Sequence, residues 1–338
     1  MAARAVITSV PGLSLSAEAR AFLRDADPWG FILFGYNIDT PAQVRALVAA
    51  LRDAVGRAAP VLIDQEGGRV QRLKAPHWPT YPPGAFYGAI YDRDRAAGLA
   101  AAKLGARLIA HDLAELGIDV DCLPIADVPV SEADPVIGNR AYGMHADKVA
   151  AIGAAVAEGL IDGGVLPVLK HIPGHGRATA DSHHKLPVVA ADRATLESSD
   201  FAAFRPLAKL PLGMTAHVVF SAIDALAPAT TSGTMVHEVI RKALGFDGLL
   251  MTDDISMKAL SGTLAERSRA SLAAGCDVVL HCNGTLDEMR AVAGAVPPLA
   301  GEAARRADAA LAARRTPVAF DVAAAREEFA GMMASASA

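Results

Sequence analysis

Eight short apolar runs, most of them rich in β-branched residues, recur along this chain and are separated by segments with helical periodicity. The runs are Ala5–Val10, Gly30–Phe34, Val61–Ile63, Ile118–Leu123, Leu166–Leu169, Gly213–Val219, Leu249–Thr252 and Asp277–His281. Strands that are apolar along their whole length are typical of a parallel sheet buried on both faces. Eight of them alternating with helices within roughly 280 residues favour a (β/α)8 barrel over an open doubly wound sheet.

Capping residues in the sequence indicate where some of the helices between these runs begin or end. Thr40 and Pro41 open an apolar stripe with a capping hydroxyl and a proline at the first helical position. A second stripe over residues 149–161 closes at Gly163–Gly164. Weaker stripes predict helices over about 95–116, 234–244, 264–274 and 286–296. No G-x-G-x-x-G follows the first apolar run, which argues against a dinucleotide-binding fold.

The tail beyond about Pro298 is rich in Ala and Arg, has no strand pattern, and predicts a closing helix on the barrel exterior. The chain has no internal repeat and no linker rich in Pro, Gly or Ser. The expected fold class is therefore α/β: a single (β/α)8 TIM-type barrel with a C-terminal closing helix, in which residues 1–338 form one catalytic domain.

Composition excludes several classes of function. A net charge of −5 with scattered Lys and Arg gives no electrostatic footprint for nucleic acid. No apolar run has the length of a membrane span, and the N-terminus makes a weak signal peptide. Cys122, Cys276 and Cys282 all lie in or beside apolar runs, which predicts buried free thiols and a cytoplasmic location. No cofactor and no obligate protein partner is inferred.

Polar residues follow the apolar runs where parallel strands would end. They are Asp64, Asp127, Lys170 and His171, His217, and Asp253 and Asp254. Because the carboxyl ends of barrel strands meet at one face, we expect these side chains to converge there. For Asp127 and Asp254 a helix N-cap explains the position equally well, and His217 is equally consistent with a hydrogen-bonded core histidine.

The segment Asp64–Arg72 holds two carboxylates, a glycine pair and two arginines within nine residues. Carboxylates accept hydrogen bonds from sugar hydroxyls and arginines donate in a planar fork, while glycines let the backbone approach a ligand closely. A salt-bridged surface turn is the alternative reading.

The segment Lys170–Gly176, followed by Asp181–His183, gathers further ionisable side chains after the fifth run. No helical pattern resumes before about Asp192, so this connection is roughly twenty residues long, and ordered loops of that length are usually functional. A metal site is one interpretation, with ligands from His171, His175, Asp181, His183 and His184. Their spacing matches no zinc pattern such as two His one helical turn apart, so we expect no catalytic metal.

Five motifs, in this order along the chain, resemble glycoside hydrolase family 3, and within it the bacterial β-N-acetylglucosaminidases of peptidoglycan recycling. They are Leu33–Asn37, Asp64–Arg72, Ile137–Arg140, Lys170–Gly176 with Asp181–His183, and Thr252–Met257. Several are weak individually, but the ordered set is highly specific and extends to about Asn283. The resemblance implies a (β/α)8 barrel, in agreement with the strand count.

The resemblance also implies roles for individual residues. Asp253 matches the catalytic nucleophile, His183 the acid/base and Asp181 its orienting partner. The residues that match the N-acetylglucosamine-binding set are Asp64, Arg72, Arg140, Lys170 and His171. The expected activity is a retaining β-N-acetylglucosaminidase acting on peptidoglycan fragments, GlcNAc-β-1,4-anhydro-MurNAc and its peptides, through a covalent glycosyl-aspartate.

Four other readings stay open at this point. The same site suits a phosphorylase that transfers N-acetylglucosamine to phosphate, or a mechanism assisted by the acetamido group of the substrate. A metal-dependent hydrolase is a third reading. A sugar-binding barrel that has lost catalysis is the fourth, although such a protein has no need of Asp181, His183 and Asp253 together.

Overall fold

The computed structural model describes residues 2–337, with side chains for residues 2–335. Its main sheet is a closed barrel of eight parallel strands in chain order, with the first strand paired to the last. The strands are β1 (Arg4–Thr8), β2 (Pro28–Leu33), β3 (Val61–Ile63), β4 (Val120–Asp121), β5 (Leu166–Ile172), β6 (Leu212–Thr215), β7 (Leu249–Asp254) and β8 (Val278–His281). The predicted (β/α)8 barrel is confirmed.

Three strand boundaries differ from the predicted ones in ways that affect the site. β5 and β7 run past the apolar residues to Ile172 and Asp254, so polar side chains lie inside the strands. The sixth run was predicted to reach Val219, but β6 ends at Thr215. Val219–Phe220 pairs instead with Val188–Val189 in a small sheet outside the barrel. A strand is defined by backbone hydrogen bonds, which polar residues also make, so hydropathy does not mark its end.

Helices separate the strands and cover the outside of the barrel. They are α1 (Ala17–Ala26), α2 (Pro41–Val55), α3 (Gly84–Arg93), α4 (Arg95–Ala114), α5 (Ala146–Asp162), α6 (Arg193–Ser198), α7 (Asp200–Phe204), a π-helical segment (Met235–Ala243), α8 (Leu264–Ala274), α9 (Leu286–Ala295), α10 (Gly301–Ala312) and α11 (Val322–Ser337). The start of α2 is as predicted: Thr40 accepts a hydrogen bond from the Gln43 backbone N–H. Gly56 ends the helix at φ 64°.

Side chains fill the barrel interior. Leu62, Val168, Met214 and Met251 come from four different strands and are no more than 3% exposed. Burying side chains of this size stabilises the fold by roughly 1.5–3 kcal/mol each. A second, larger apolar layer lies between the strands and the surrounding helices. With the interior packed, a ligand site belongs at the carboxyl ends of the strands, where the loops are built.

The C-terminal tail forms two helices, which corrects the single closing helix predicted from sequence. α10 closes the amino-terminal end of the barrel: its Ala307 and Ala310 pack into the barrel core, and its Arg306 pairs with Asp247 and Asp277. α11 packs against α3 and α4 on the exterior. The segment between the two helices contains Pro317, which interrupts a helix. Because the composition is Ala-rich on both sides, the sequence pattern suggested one continuous helix.

All three cysteines lie in the described part of the chain, and all are buried and free of disulfides, as predicted. Among the described residues, no helix is both long enough and apolar enough to cross a membrane.

Candidate active site

A cavity of about 280 Å³ opens at the carboxyl ends of the strands. It is lined by all eight residues to which the family resemblance assigns a catalytic or sugar-binding role: Asp64, Arg72, Arg140, Lys170, His171, Asp181, His183 and Asp253. They come from loops and strand ends up to 189 positions apart (Asp64 to Asp253), so the barrel topology is what brings them together. Their roles stay predictions, because the shared location shows only that the eight can act on one ligand.

Lys170 forms the centre of a buried charge cluster. Its Nζ lies 2.8 Å from both Asp64 Oδ1 and Glu66 Oε1, and its side chain is 2% exposed. Burial alone would lower the pKa of Lys170, but the two carboxylates raise it above its ordinary value. Arg72 donates to Asp64 Oδ2 at 2.9 Å. Burial would raise the pKa of Asp64, yet Lys170 and Arg72 hold it far below the usual range, so this carboxylate is ionised.

Glu66 is a site residue to which the sequence analysis assigned no role. Arg140 donates two parallel hydrogen bonds to its carboxylate, from Nε to Oε2 and from Nη2 to Oε1, each 2.8 Å long. Against the opposing effect of burial, Arg140 and Lys170 lower the pKa of Glu66 to about 2. Its carboxylate was visible in the Asp64–Arg72 motif, but its partner Arg140 is 74 positions away.

The hairpin that carries these carboxylates depends on two glycines. Gly67 and Gly68 have φ angles of 92° and 58°, and a Cβ on Gly67 would lie 2.3 Å from the Pro82 carbonyl oxygen. The backbone therefore folds tightly under the cavity, and the salt-bridged surface turn considered as an alternative is wrong: Glu66 is 6% exposed.

Asp127 organises the start of the histidine-rich loop. Its Oδ2 lies 2.7 Å from His171 Nδ1, and its Oδ1 accepts a 2.6 Å hydrogen bond from the His175 backbone N–H. Although burial would raise it, His171 and His175 keep the pKa of Asp127 below its ordinary value. No helix follows it directly. Asp127 is thus an anchor for two histidines rather than a helix cap.

Of the two adjacent aspartates at the end of β7, Asp253 lines the cavity. Burial would raise the pKa of Asp253, but the His171 and His217 rings lower it below its ordinary value, which favours an ionised carboxylate. Asp254 points into a turn, where it accepts hydrogen bonds from Ser256 N–H and O–H at 3.0 and 2.6 Å. The Asp253 carboxylate is therefore available to a ligand in the cavity, whereas the Asp254 carboxylate is occupied by hydrogen bonds within the protein.

The sequence left two interpretations of His217, a site residue or a core residue. In the structure it is fully buried and lies next to the site. Its Nε2 donates to the Asp254 carbonyl at 3.0 Å, and its Nδ1 lies 2.7 Å from Thr230 Oγ1. Burial lowers its pKa below the ordinary value, so the ring is neutral. It supports the backbone beside Asp253.

The long loop brings its aspartate and histidine into contact. Asp181 Oδ1 accepts the His183 backbone N–H at 2.9 Å and lies 2.7 Å from His183 Nδ1. The loop turns back between them, as their contact requires. Burial opposes it, but the two His183 hydrogen bonds lower the pKa of Asp181. The His183 side chain is 61% exposed, so its ring is accessible from the cavity mouth.

No group of three or more His, Cys, Asp or Glu side chains with ligand geometry for a metal ion occurs among the residues that the structure describes. His184, one of the candidate ligands, is exposed and lies 3.8 Å from Asp181 through Nε2.

Comparison with known proteins identifies the family. Residues 6–313 match the glycosyl hydrolase family 3 N-terminal domain. The chain belongs to glycoside hydrolase family 3. It is 40% identical to the β-hexosaminidase of Alkalilimnicola ehrlichii over 284 residues, which cover 82% of this chain and 80% of that protein. It is 35% identical to the β-hexosaminidase of Chromobacterium violaceum over 305 residues, or 89% and 85% of the two chains.

Solved structures of the family agree with the fold. NagZ from Neisseria gonorrhoeae in complex with N-trifluoroacetyl-D-glucosamine superposes with a TM-score of 0.87 at 30% identity, over 98% of each chain. This family 3 chain is therefore a glycoside hydrolase that acts on carbohydrate, and its curated relatives are β-hexosaminidases.

Proposed function

We propose that this protein is a retaining β-N-acetylglucosaminidase. Its substrates are peptidoglycan fragments, GlcNAc-β-1,4-anhydro-MurNAc and its peptides, from which it removes the non-reducing terminal N-acetylglucosamine during peptidoglycan recycling. The observation that carries the proposal is one cavity lined by a strand-end carboxylate, a His–Asp pair and a buried cluster of charges. The curated relatives are β-hexosaminidases, which supports a hexosaminide substrate. The resemblance of the motif set supports peptidoglycan as the source of that substrate.

In the first step Asp253 attacks the anomeric carbon and forms a glycosyl-aspartate. At the same time His183 gives its proton to the departing glycosidic oxygen. Asp181 contacts Nδ1 of that ring at 2.7 Å, so it orients the ring and stabilises the imidazolium, leaving the other nitrogen for proton transfer.

In the second step neutral His183 takes a proton from water, and the oxygen of that water attacks the anomeric carbon. The bond to Asp253 breaks, so two inversions give net retention of configuration. Asp253 is ionised at neutral pH for the next cycle because its pKa lies below the ordinary value of an aspartate.

The charged set binds the sugar. Asp64 accepts hydrogen bonds from hydroxyl groups while Arg72, Lys170 and His171 donate to them. The Lys170–Asp64 contact at 2.8 Å holds both groups in place before the sugar arrives. Such preorganisation lowers the cost of ordering side chains on binding.

The substrate class is tested by assaying purified protein on a chromogenic N-acetyl-β-glucosaminide beside the matching β-glucoside, and then on GlcNAc-β-1,4-anhydro-MurNAc. We expect strong preference for the acetamido sugar and release of N-acetylglucosamine from the natural disaccharide. Comparable rates on the glucoside would contradict the assignment.

The covalent route is tested at Asp253. Asp253→Asn keeps the shape of the side chain but removes its nucleophilicity, so kcat should fall by about a thousandfold or more while the melting temperature is retained. A fluorosugar that traps the intermediate should label Asp253 in the wild-type protein. Labelling of Asp64 or Asp254 in its place would sink the assignment, and a failure to trap any adduct would favour assistance by the acetamido group.

Transfer to phosphate is a second candidate activity, favoured by the His–Asp pair. An anion that approaches the intermediate meets His183, which is neutral or positive, whereas a carboxylate base would repel it. Turnover in phosphate buffer should then yield some N-acetylglucosamine 1-phosphate beside the free sugar. Its absence across a phosphate titration would restrict the enzyme to hydrolysis.

Activity should not depend on a metal ion, because the histidines are assigned to proton transfer and sugar contacts. Dialysis against a strong chelator should leave kcat/KM unchanged within error. A loss of activity that Zn²⁺ restores would support the metal-dependent hydrolase.

We further propose that residues 1–338 act as one catalytic domain in the cytoplasm. The continuous barrel with its packed tail helices supports the first proposal, and the three free, buried cysteines suit a reducing compartment.

A further inference from the structure

The segment of residues 181–186 carries the acid/base pair and is attached to the rest of the protein through Ser182. Ser182 is 3% exposed, whereas the other five residues are exposed or partly exposed. Two hydrogen bonds join this segment to other parts of the described chain, and both use Ser182. Its Oγ lies 3.1 Å from His175 Nε2, and its carbonyl accepts the Ala259 N–H at 3.2 Å.

His175 is a fixed point for this attachment. It is 3% exposed, and its backbone N–H is held by Asp127 at 2.6 Å. The next residue, Gly176, lies so close to the neighbouring strand-end loop that a Cβ would be 2.1 Å from the Val128 carbonyl oxygen. Burial and the nearby His171 lower the pKa of His175 to about 4, so the ring is neutral at neutral pH. A neutral, immobile ring is a suitable partner for a serine hydroxyl.

The second bond connects the acid/base pair to the nucleophile. Ala259 lies five residues beyond the end of β7, the strand that carries Asp253. Ser182 therefore links the loop that holds His183 to the loop that follows Asp253. Displacing a catalytic group by about 1 Å costs on the order of a hundredfold in rate, so these contacts bear directly on catalysis.

We propose that His175 and Ser182 are positioning residues that hold Asp181 and His183 over Asp253. The inference rests on the acid/base role proposed for His183. Neither residue takes part in proton transfer; both act through His183. The parameter kcat/KM reports the steps up to departure of the leaving group, so in kcat/KM their loss should matter only for substrates whose leaving group needs a proton.

The test compares Ser182→Ala, Ser182→Thr and Lys185→Ala, the last being an exposed control on the same segment. For each we measure kcat/KM on GlcNAc-β-1,4-anhydro-MurNAc and on dinitrophenyl N-acetyl-β-glucosaminide. Ser182→Ala should lose about tenfold on the disaccharide and less than about twofold on the aryl glycoside. Ser182→Thr keeps the hydroxyl and should recover most of the loss, and Lys185→Ala should match the wild type on both substrates.

A second arm places Ser182→Ala in a His183→Ala background. Because Ser182 acts through His183, the added change should cost nothing further on the disaccharide. His175→Phe keeps the ring and removes its nitrogens, and it should reproduce the selective loss of Ser182→Ala. It also carries the comparison if Ser182→Ala lowers the melting temperature.

Equal losses on the two substrates, or a further loss in the His183→Ala background, would overturn the positioning role and make Ser182 a purely structural residue. Unchanged activity of Ser182→Ala and His175→Phe would overturn it too. The underlying acid/base proposal is judged separately, by whether His183→Ala alone discriminates between the substrates.

Discussion

His183 combines exposure with a fixed orientation. Its ring is 61% exposed, yet Nδ1 and the backbone N–H both contact the same oxygen of Asp181. The exposed side of the ring can exchange protons with water and with a departing oxygen. A side chain in this position suits a group that must donate a proton in one step and accept one in the next.

We expect His183→Ala to reduce kcat/KM by about a hundredfold or more on GlcNAc-β-1,4-anhydro-MurNAc, because the sugar leaving group needs a proton. On dinitrophenyl N-acetyl-β-glucosaminide, which needs little protonation, the loss should stay below about tenfold. Steady-state kinetics on both substrates make the measurement, with added azide as a small nucleophilic anion that should raise the remaining turnover. Equal losses without an azide response would mean that the acid/base lies elsewhere.

At the residue scale, the sequence predicts well which side chains share the site. It predicts less well which of them form hydrogen bonds or ion pairs with each other. Asp64, Lys170 and Asp253 were identified because they end apolar runs, and a barrel gathers strand ends. Glu66 and Asp127 were in view but given no role or an open one, because their partners Arg140 and His175 are distant in sequence. Such pairings depend on tertiary geometry, which local spacing does not encode.

Among the elements, the start of the long loop is packed too tightly to accept a larger residue. We expect Gly176→Ala to lower the melting temperature by several degrees and to reduce activity, because its Cβ would lie 2.1 Å from the Val128 carbonyl oxygen. Gly233→Ala is the control, since its Cβ would meet nothing within 4 Å. Thermal unfolding and kcat/KM measure both effects. Equal melting temperatures for the two variants would show that the loop adjusts at little cost.

The sequence predicts whether a segment is a helix or a strand where the hydrophobic pattern and the capping residues agree, as in α2. It predicts the first and last residues of these elements less accurately. The ends of β5 and β7 were missed because Lys170 and Asp254 are polar yet buried, held by ion pairs and hydrogen bonds instead of apolar contacts. The hairpin at Gln65–Gln71 also went unpredicted. Its strands are two or three residues long, and a window that short contains no periodicity to read.

For the whole molecule, the buried ion pairs around Glu66 link stability to acid. The pKa of Glu66 falls from 4.5 to about 2 on folding, so its contribution is fully present above pH 4.5 and is lost as pH falls through about 2. We expect Glu66→Gln to unfold more easily than the wild type at pH 7 and to show a smaller loss of stability between pH 5 and pH 2.

Urea unfolding at several pH values makes this measurement. Glu18→Gln is the control, because Glu18 forms an exposed pair with Arg290 and such pairs contribute little. A wild-type acid dependence that persists unchanged in Glu66→Gln would assign it to other carboxylates.

Closure of the amino-terminal end of the barrel by α10 also has a consequence for the order in which the products of the proposed reaction depart. With that end closed and the interior packed, a sugar ring held in the cavity faces one exit in the part of the chain described here, past the residues at the cavity mouth. In the proposed mechanism the departing aglycone occupies that exit while the ring is still bound to the enzyme. In the proposed reaction we therefore expect the aglycone to leave first and the sugar last, so that free N-acetylglucosamine is the product that competes with incoming substrate.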